Sequence, residues 1–277
     1  MMQSVPAPKD RRKIVAERSA AVHMTYAIDS ALRQTLCFNV KYGFIANFVL
    51  VTALSIFGDI QRPPPNYFSD KNNVLNQYFV KLGWGWTLTG IISLQLITKL
   101  IWHQGEIRNI GCVILRLTGL TLYWYICTHS FVWLENYTGS CTHAGLSAKR
   151  ACLREGHAWL GFDISGHCFL LTFSLGAING ESPILYQISR KLDTIERVDD
   201  SAVVLRSKYR FLLRCSVLML VVLSLLWEFM LFVTSLYFHT TSQKVLGMTF
   251  AAIGWFLVYR ANPFNNDLQS LQTSTCM

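Results

Sequence analysis

Six long apolar runs divide the chain, at about 39–58, 80–100, 113–134, 159–178, 212–237 and 245–260, with polar stretches between them. A helix needs about 20 mostly apolar residues to cross the hydrocarbon core of a bilayer. The pattern therefore predicts an all-α integral membrane protein with six transmembrane helices. It also sets the expected organisation: a basic N-terminal arm over 1–38, a six-helix transmembrane domain over 39–260 and a tail over 261–277. Two ionisable residues interrupt the runs. Arg116, near one end of the third, is expected to snorkel to the interface. Glu228, near the middle of the fifth, is expected to face protein rather than lipid.

Composition narrows the class. Of the 277 residues, 52% are hydrophobic, 13% aromatic and only 15% charged, against about 25% charged in an ordinary soluble domain. A soluble globule, a disordered chain, a collagen and a coiled coil all fit poorly. The net charge of +9 lies in the stretches between the apolar runs, which points to membrane loops and away from a nucleic-acid partner. No signal-peptide pattern precedes the first run, which is expected to act as both signal and anchor.

The loop charges give an orientation. With a cytosolic N-terminus, the cytosolic segments hold 7, 2, 6 and 1 lysines and arginines, and the opposite loops hold 2, 3 and 1. Positive charge stays on the cytosolic side, so both termini are expected there and the 135–158 loop in a lumen. In that loop Asn136, with Tyr137 and Thr138, forms a possible glycosylation acceptor. Cys141 and Cys152 are expected to pair as a disulfide in an oxidising compartment. The rival is zinc, from Cys141, His143, Cys152 and His157.

Candidate chemistry gathers on the same side. The fourth run contains Asp163, Ser165 and His167. If that stretch is helical, Asp163 and His167 share a face, and the carboxylate favours the imidazolium. His239 and Lys244 lie in the shortest luminal loop, and Lys81 opens the second run from the same side. Two histidines with two lysines suit phosphoryl transfer: one imidazole attacks phosphorus, the other protonates the leaving oxygen, and Lys81 and Lys244 hold the non-bridging oxygens. No Gly-rich nucleotide loop is present in the sequence, and no metal is called for.

Several strings carry a family likeness: NVLNQYFVKLGWGWT at 73–87, WYICT at 124–128, ENYTGSC at 135–141, GFDISGHCFLLTF at 161–173 and YFHTTSQKVLG at 237–247. On these the chain resembles the fat storage-inducing transmembrane (FIT) family of the endoplasmic reticulum. The resemblance implies six spans, cytosolic termini and a distant kinship with lipid phosphate phosphatases. By that match His167 is the general acid and His239 the nucleophile. The phosphatases' later motif has an arginine before its histidine and an aspartate after it, and neither is found beside His239. The activity implied is luminal cleavage of the diphosphate of fatty acyl-CoA, giving acyl 4′-phosphopantetheine and adenosine 3′,5′-bisphosphate without a cofactor. Binding of diacylglycerol and triacylglycerol and a role in lipid-droplet formation are implied as well. Two rivals stand beside this reading. One is a non-catalytic protein that partitions neutral lipid, and the other an acyl hydrolase with Ser165 as nucleophile.

Overall fold

A computed structural model describes residues 43–61, 63–101, 110–143, 145–181, 183–184 and 203–261. The expected N-terminal arm, almost all of the tail and most of the 179–210 loop lie outside these residues. Seven helices follow in chain order: α1 (Gly43–Gln61), α2 (Gly83–Ile101), α3 (Ile110–Thr138), the short α4 (Lys149–Arg154), α5 (Gly166–Glu181), α6 (Val203–Tyr237) and α7 (Thr241–Tyr259). Two two-residue strands, β1 (Ser140–Cys141) and β2 (Trp159–Leu160), flank α4. A 3₁₀ turn at Tyr67–Ser69 and a π-helical turn at Leu75–Val80 lead into α2.

Among the described residues three segments are long and apolar enough to cross a membrane by length and composition: Gly43–Gln61, Gly111–Thr138 and Phe211–Tyr237. Their outer faces carry exposed Ile45, Val49, Ile114, Leu122, Leu218 and Leu225. In water such surfaces are aggregation-prone, whereas in a bilayer they meet their own solvent. Burial on α5 is total from Cys168 to Glu181. This helix is apolar all round because α2, α3, α6 and α7 surround it.

The fourth apolar run is not one helix. Residues 159–160 are strand, 161–165 are irregular, non-helical chain, and α5 begins only at Gly166. The cause is local: Cys141 pairs with Trp159 across β1 and β2, and Phe162 N–H donates to Thr138 Oγ1 at 2.9 Å. Ser165 then caps the helix, its Oγ accepting the Cys168 N–H at 3.3 Å.

At the end of the bundle remote from these strands, Arg116 does not snorkel. Its guanidinium grips Glu181 through Nε–Oε1 at 2.7 Å and Nη2–Oε2 at 2.8 Å, with the two side chains 2% and 0% exposed. Gln95 Nε2 donates to Glu181 Oε2 at 2.6 Å and Tyr259 Oη to Oε1 at 2.9 Å. A buried charge whose partner is removed destabilises a fold by about 3–5 kcal/mol. Glu181→Ala is therefore expected to lower the melting temperature of the detergent-purified protein sharply. A melt like the wild type's would remove the network from the account. Glu228 is half-buried on α6, between the buried Trp227 and the exposed Phe229.

The packing of α5 against α7 matters most for the site. A Cβ at Gly247 would stand 2.6 Å from the Ser165 carbonyl oxygen, so a glycine lets the two backbones touch there. Ser165 N–H also donates to the Gln243 carbonyl at 3.1 Å. The start of α7, which follows His239, is thus fastened to the start of α5, which carries His167.

Candidate active site

His167 stands in the first turn of α5. Its Nε2 lies 2.9 Å from Asn76 Oδ1. The amide of Asn76 is held in one orientation, because its Nδ2 donates to the Lys71 carbonyl at 3.2 Å. Oδ1 is then the atom facing the imidazole, and it accepts only from an N–H, so the proton is assigned to Nε2. Asn76 itself is buried and presented by the π turn, in which Lys81 N–H reaches back to the Asn76 carbonyl at 3.1 Å. Such turns are uncommon and recur at functional sites. The Phe238 ring lies parallel to the imidazole, with centroids 6.5 Å apart.

His239 occupies the short link between α6 and α7. It adopts φ 55°, the left-handed region that non-glycine residues seldom enter. The link needs it: α6 stops at Tyr237, and Thr240 with Gln243 forms the capping box that starts α7. The strain is on the order of 1–3 kcal/mol, and such strain clusters at active sites.

His239 Nδ1 is 3.5 Å from Asp163 Oδ2. The sequence had placed Asp163 on one helical face with His167. Because 161–165 is not helical, the carboxylate is delivered to the other histidine instead. It brings an acidic group beside His239 from a distant segment. Burial pushes the His239 imidazole below its ordinary value, and Lys71 and Lys244 add to this against the opposing pull of Asp163 and Gln243. Burial likewise raises the Asp163 carboxyl, and Glu135 adds to it, while His239, Lys149 and Lys71 oppose. The net result is a neutral imidazole at neutral pH, held by a carboxylate at Nδ1.

The expected supporting groups take varied places. Ser165 is fully buried and its hydroxyl serves as the cap of α5, a poor position for a nucleophile. Lys244 is 1% exposed, its Nζ donating to the Ser235 carbonyl at 2.7 Å. Lys81 is exposed and donates to Gln77 Oε1 at 2.7 Å. Nearby, Asp59 Oδ2 accepts from the Thr241 N–H at 3.1 Å and from its hydroxyl at 2.7 Å, tying α1 to the start of α7. Sequence reasoning missed Asn76. The available signal was a pair of amides, Asn73 and Asn76, at the mouth of an apolar run.

The residues of the 135–158 segment form the support. A disulfide joins Cys141 and Cys152, with the Cα atoms 5.8 Å apart, so neither sulfur is a free thiolate for zinc. His143 and His157 stack at 4.7 Å. Lys149 pairs with Glu135 at 2.6 Å, and Trp159 Nε1 donates to the Glu135 carbonyl at 3.3 Å. This knot sets the path of the chain from β2 to Ser165 and so aims Asp163. Asn136 is exposed, on the last turn of α3 rather than in an open loop.

These features define a multi-pass membrane protein that gathers two histidines, a carboxylate and several lysines at one end of its bundle. The sequence profile of the fat storage-inducing transmembrane protein (FIT) family matches residues 64–137 and 135–259, and the chain belongs to that family. Among similar proteins is the acyl-coenzyme A diphosphatase FITM2 of Xenopus tropicalis, 33% identical over 76% of this chain and 78% of that protein. The mouse protein of the same name is 36% identical over 76% and 80%, and the human one 35% over 74% and 76%. No solved structure matches the chain.

Proposed function

We propose that the protein is a fatty acyl-CoA diphosphatase of the endoplasmic-reticulum membrane. It hydrolyses acyl-CoA to acyl 4′-phosphopantetheine and adenosine 3′,5′-bisphosphate and so supports membrane-lipid balance and lipid-droplet formation. Its six spans leave both termini in the cytosol and the site at the luminal surface, in line with the distribution of basic residues. Diacylglycerol and triacylglycerol are its further lipid partners. The activity by which the relatives are named supports the substrate. The observation that carries the reading is the convergence of His167 and His239, with Asp163 against His239 Nδ1.

In this scheme Asp163 accepts the Nδ1–H of His239 and leaves Nε2 with a free lone pair. That nitrogen attacks one phosphorus of the anhydride and the bridging oxygen departs. His167, whose Nε2–H is held by Asn76, enters this step as the imidazolium and gives its second proton, on Nδ1, to that oxygen. Water then cleaves the phosphohistidine, and His167 takes back a proton. The direct test is product analysis: purified protein with oleoyl-CoA is expected to release the two named products. Free fatty acid and intact CoA would instead support an acyl hydrolase.

The pH profile follows from the same geometry. Protonated His239 has no lone pair to offer and deprotonated His167 has no Nδ1 proton to give, so kcat/KM is expected to fall on both the acid and the alkaline side of an optimum. Asp163 opposes the lowering of His239's pKa. Asp163→Asn should therefore move the acid limb to still lower pH. It should also reduce the plateau by a factor on the order of 10²–10⁴, because the nucleophile loses its orienting carboxylate. Rates measured from pH 4 to 8 at constant ionic strength check this. An acid limb that moves upward would show that Asp163 does not act on His239.

A further inference from the structure

The reaction needs a cation on the diphosphate, since charge builds on its non-bridging oxygens as the bond breaks. Four lysines stand at the site's end of the bundle, and three have ammonium groups already bonded to protein. Lys81 donates to Gln77, Lys149 is paired with Glu135, and Lys244 is buried against the Ser235 carbonyl. Among the described residues Lys71 alone of the four keeps an ammonium with no hydrogen bond or ion pair, and it is exposed.

The turn that carries Lys71 is built firmly. Asn73 Nδ2 donates to the carbonyls of Tyr67, Phe68 and Asp70 at 3.3, 3.2 and 2.8 Å. The Lys71 carbonyl accepts from Asn76 Nδ2 at 3.2 Å and from Gln77 Nε2 at 3.1 Å. Asn76 Oδ1 in turn meets His167, so two hydrogen bonds connect the backbone of Lys71 to a histidine of the site. Its charge reaches Asp163, His167 and His239 alike. Among the described residues no other lysine acts on all three: Lys81 reaches His167, Lys149 reaches Asp163 and Lys244 reaches His239.

We infer that Lys71 is the cation that binds the diphosphate of the substrate, held over the two histidines by the rigid turn that also orients His167. This rests on the reading of the site as a diphosphatase, and it replaces Lys81 and Lys244 in the anion-binding role. A lysine suits the task as a mobile point charge on a fixed base. The side chain is exposed and its ammonium makes no hydrogen bond or ion pair that its loss would break, so Lys71→Ala should fold and melt as the wild type does.

The test uses the full-length protein in liposomes. Lys71→Ala is expected to lower kcat/KM for oleoyl-CoA by a factor on the order of 10², and Lys71→Arg to restore most of it. Titration with methylenediphosphonate, a non-hydrolysable diphosphate, gives a readout that does not depend on turnover. Its Kd should rise about tenfold or more in Lys71→Ala, and the dependence of binding on salt should flatten. Equal diphosphonate affinity in the wild type and Lys71→Ala, or no affinity in either, would overturn the assignment. If the wild type binds the diphosphonate through Lys71 but leaves oleoyl-CoA intact, the anion site stands and the acyl-CoA reading falls.

Discussion

His239→Ala is expected to abolish cleavage of oleoyl-CoA. The reason is chemical rather than structural. A general acid or base accelerates a step that has another route, but a covalent nucleophile is the route itself. His239 also sits at φ 55°, so a substitution there perturbs the backbone as well, and the control must separate the two effects. Asparagine enters the left-handed region more readily than other non-glycine residues. His239→Asn should thus keep the α6–α7 link and the capping box of α7 while removing the attacking nitrogen. The asparagine variant is expected to insert, purify and melt normally, and neither variant should turn over substrate. Activity recovered in His239→Asn would mean that this position shapes the backbone and takes no part in the chemistry.

His167→Ala should be the second most damaging change, with a loss on the order of 10²–10⁴ in kcat. The proton for the leaving oxygen would then have to come from water. Alanine also leaves Asn76 Oδ1 without its donor, and a buried unsatisfied acceptor destabilises by about 1–3 kcal/mol. His167→Gln addresses this, because a side-chain amide can donate to Asn76 but cannot transfer a proton at neutral pH. The glutamine variant is expected to regain the stability and not the rate. A rate close to that of wild type in His167→Gln would reduce His167 to a packing residue. Wild-type turnover in the double variant His167→Ala, His239→Ala would favour the lipid-partitioning rival.

Polar groups inside apolar runs or in the short links between them are conspicuous, and for that reason His167, Asp163, His239 and Lys244 stood out in the sequence as candidates. Their partners stood out much less. Hydropathy counts residues without distinguishing irregular chain from helix, so 159–165 read as the first two turns of a span. The β1–β2 pairing that interrupts it depends on Cys141 and Trp159, which are 18 positions apart. The consequence was chemical: Asp163 was matched to the wrong histidine. Arg116 was read as an interfacial side chain because its counter-charge, Glu181, lies 65 residues away at the far end of another helix. Asn76 has no reactivity of its own and becomes meaningful only when the π turn sets it 2.9 Å from His167. The lysines show the same limit in reverse. Sequence position brought Lys81 and Lys244 near the histidines, but hydrogen bonds to Gln77 and Ser235 decide that their ammoniums are occupied.

The claim that joins fold to function is that His239 attacks phosphorus. Rapid mixing of the purified protein with oleoyl-CoA, a quench in base and peptide mapping by mass spectrometry test it most directly. The expected result is a phosphoryl adduct on His239 that forms and decays within the turnover time, absent in His239→Asn and accumulating in Asp163→Asn no faster than the overall rate. An acyl adduct on Ser165, or steady turnover with His239 never modified, would contradict the account.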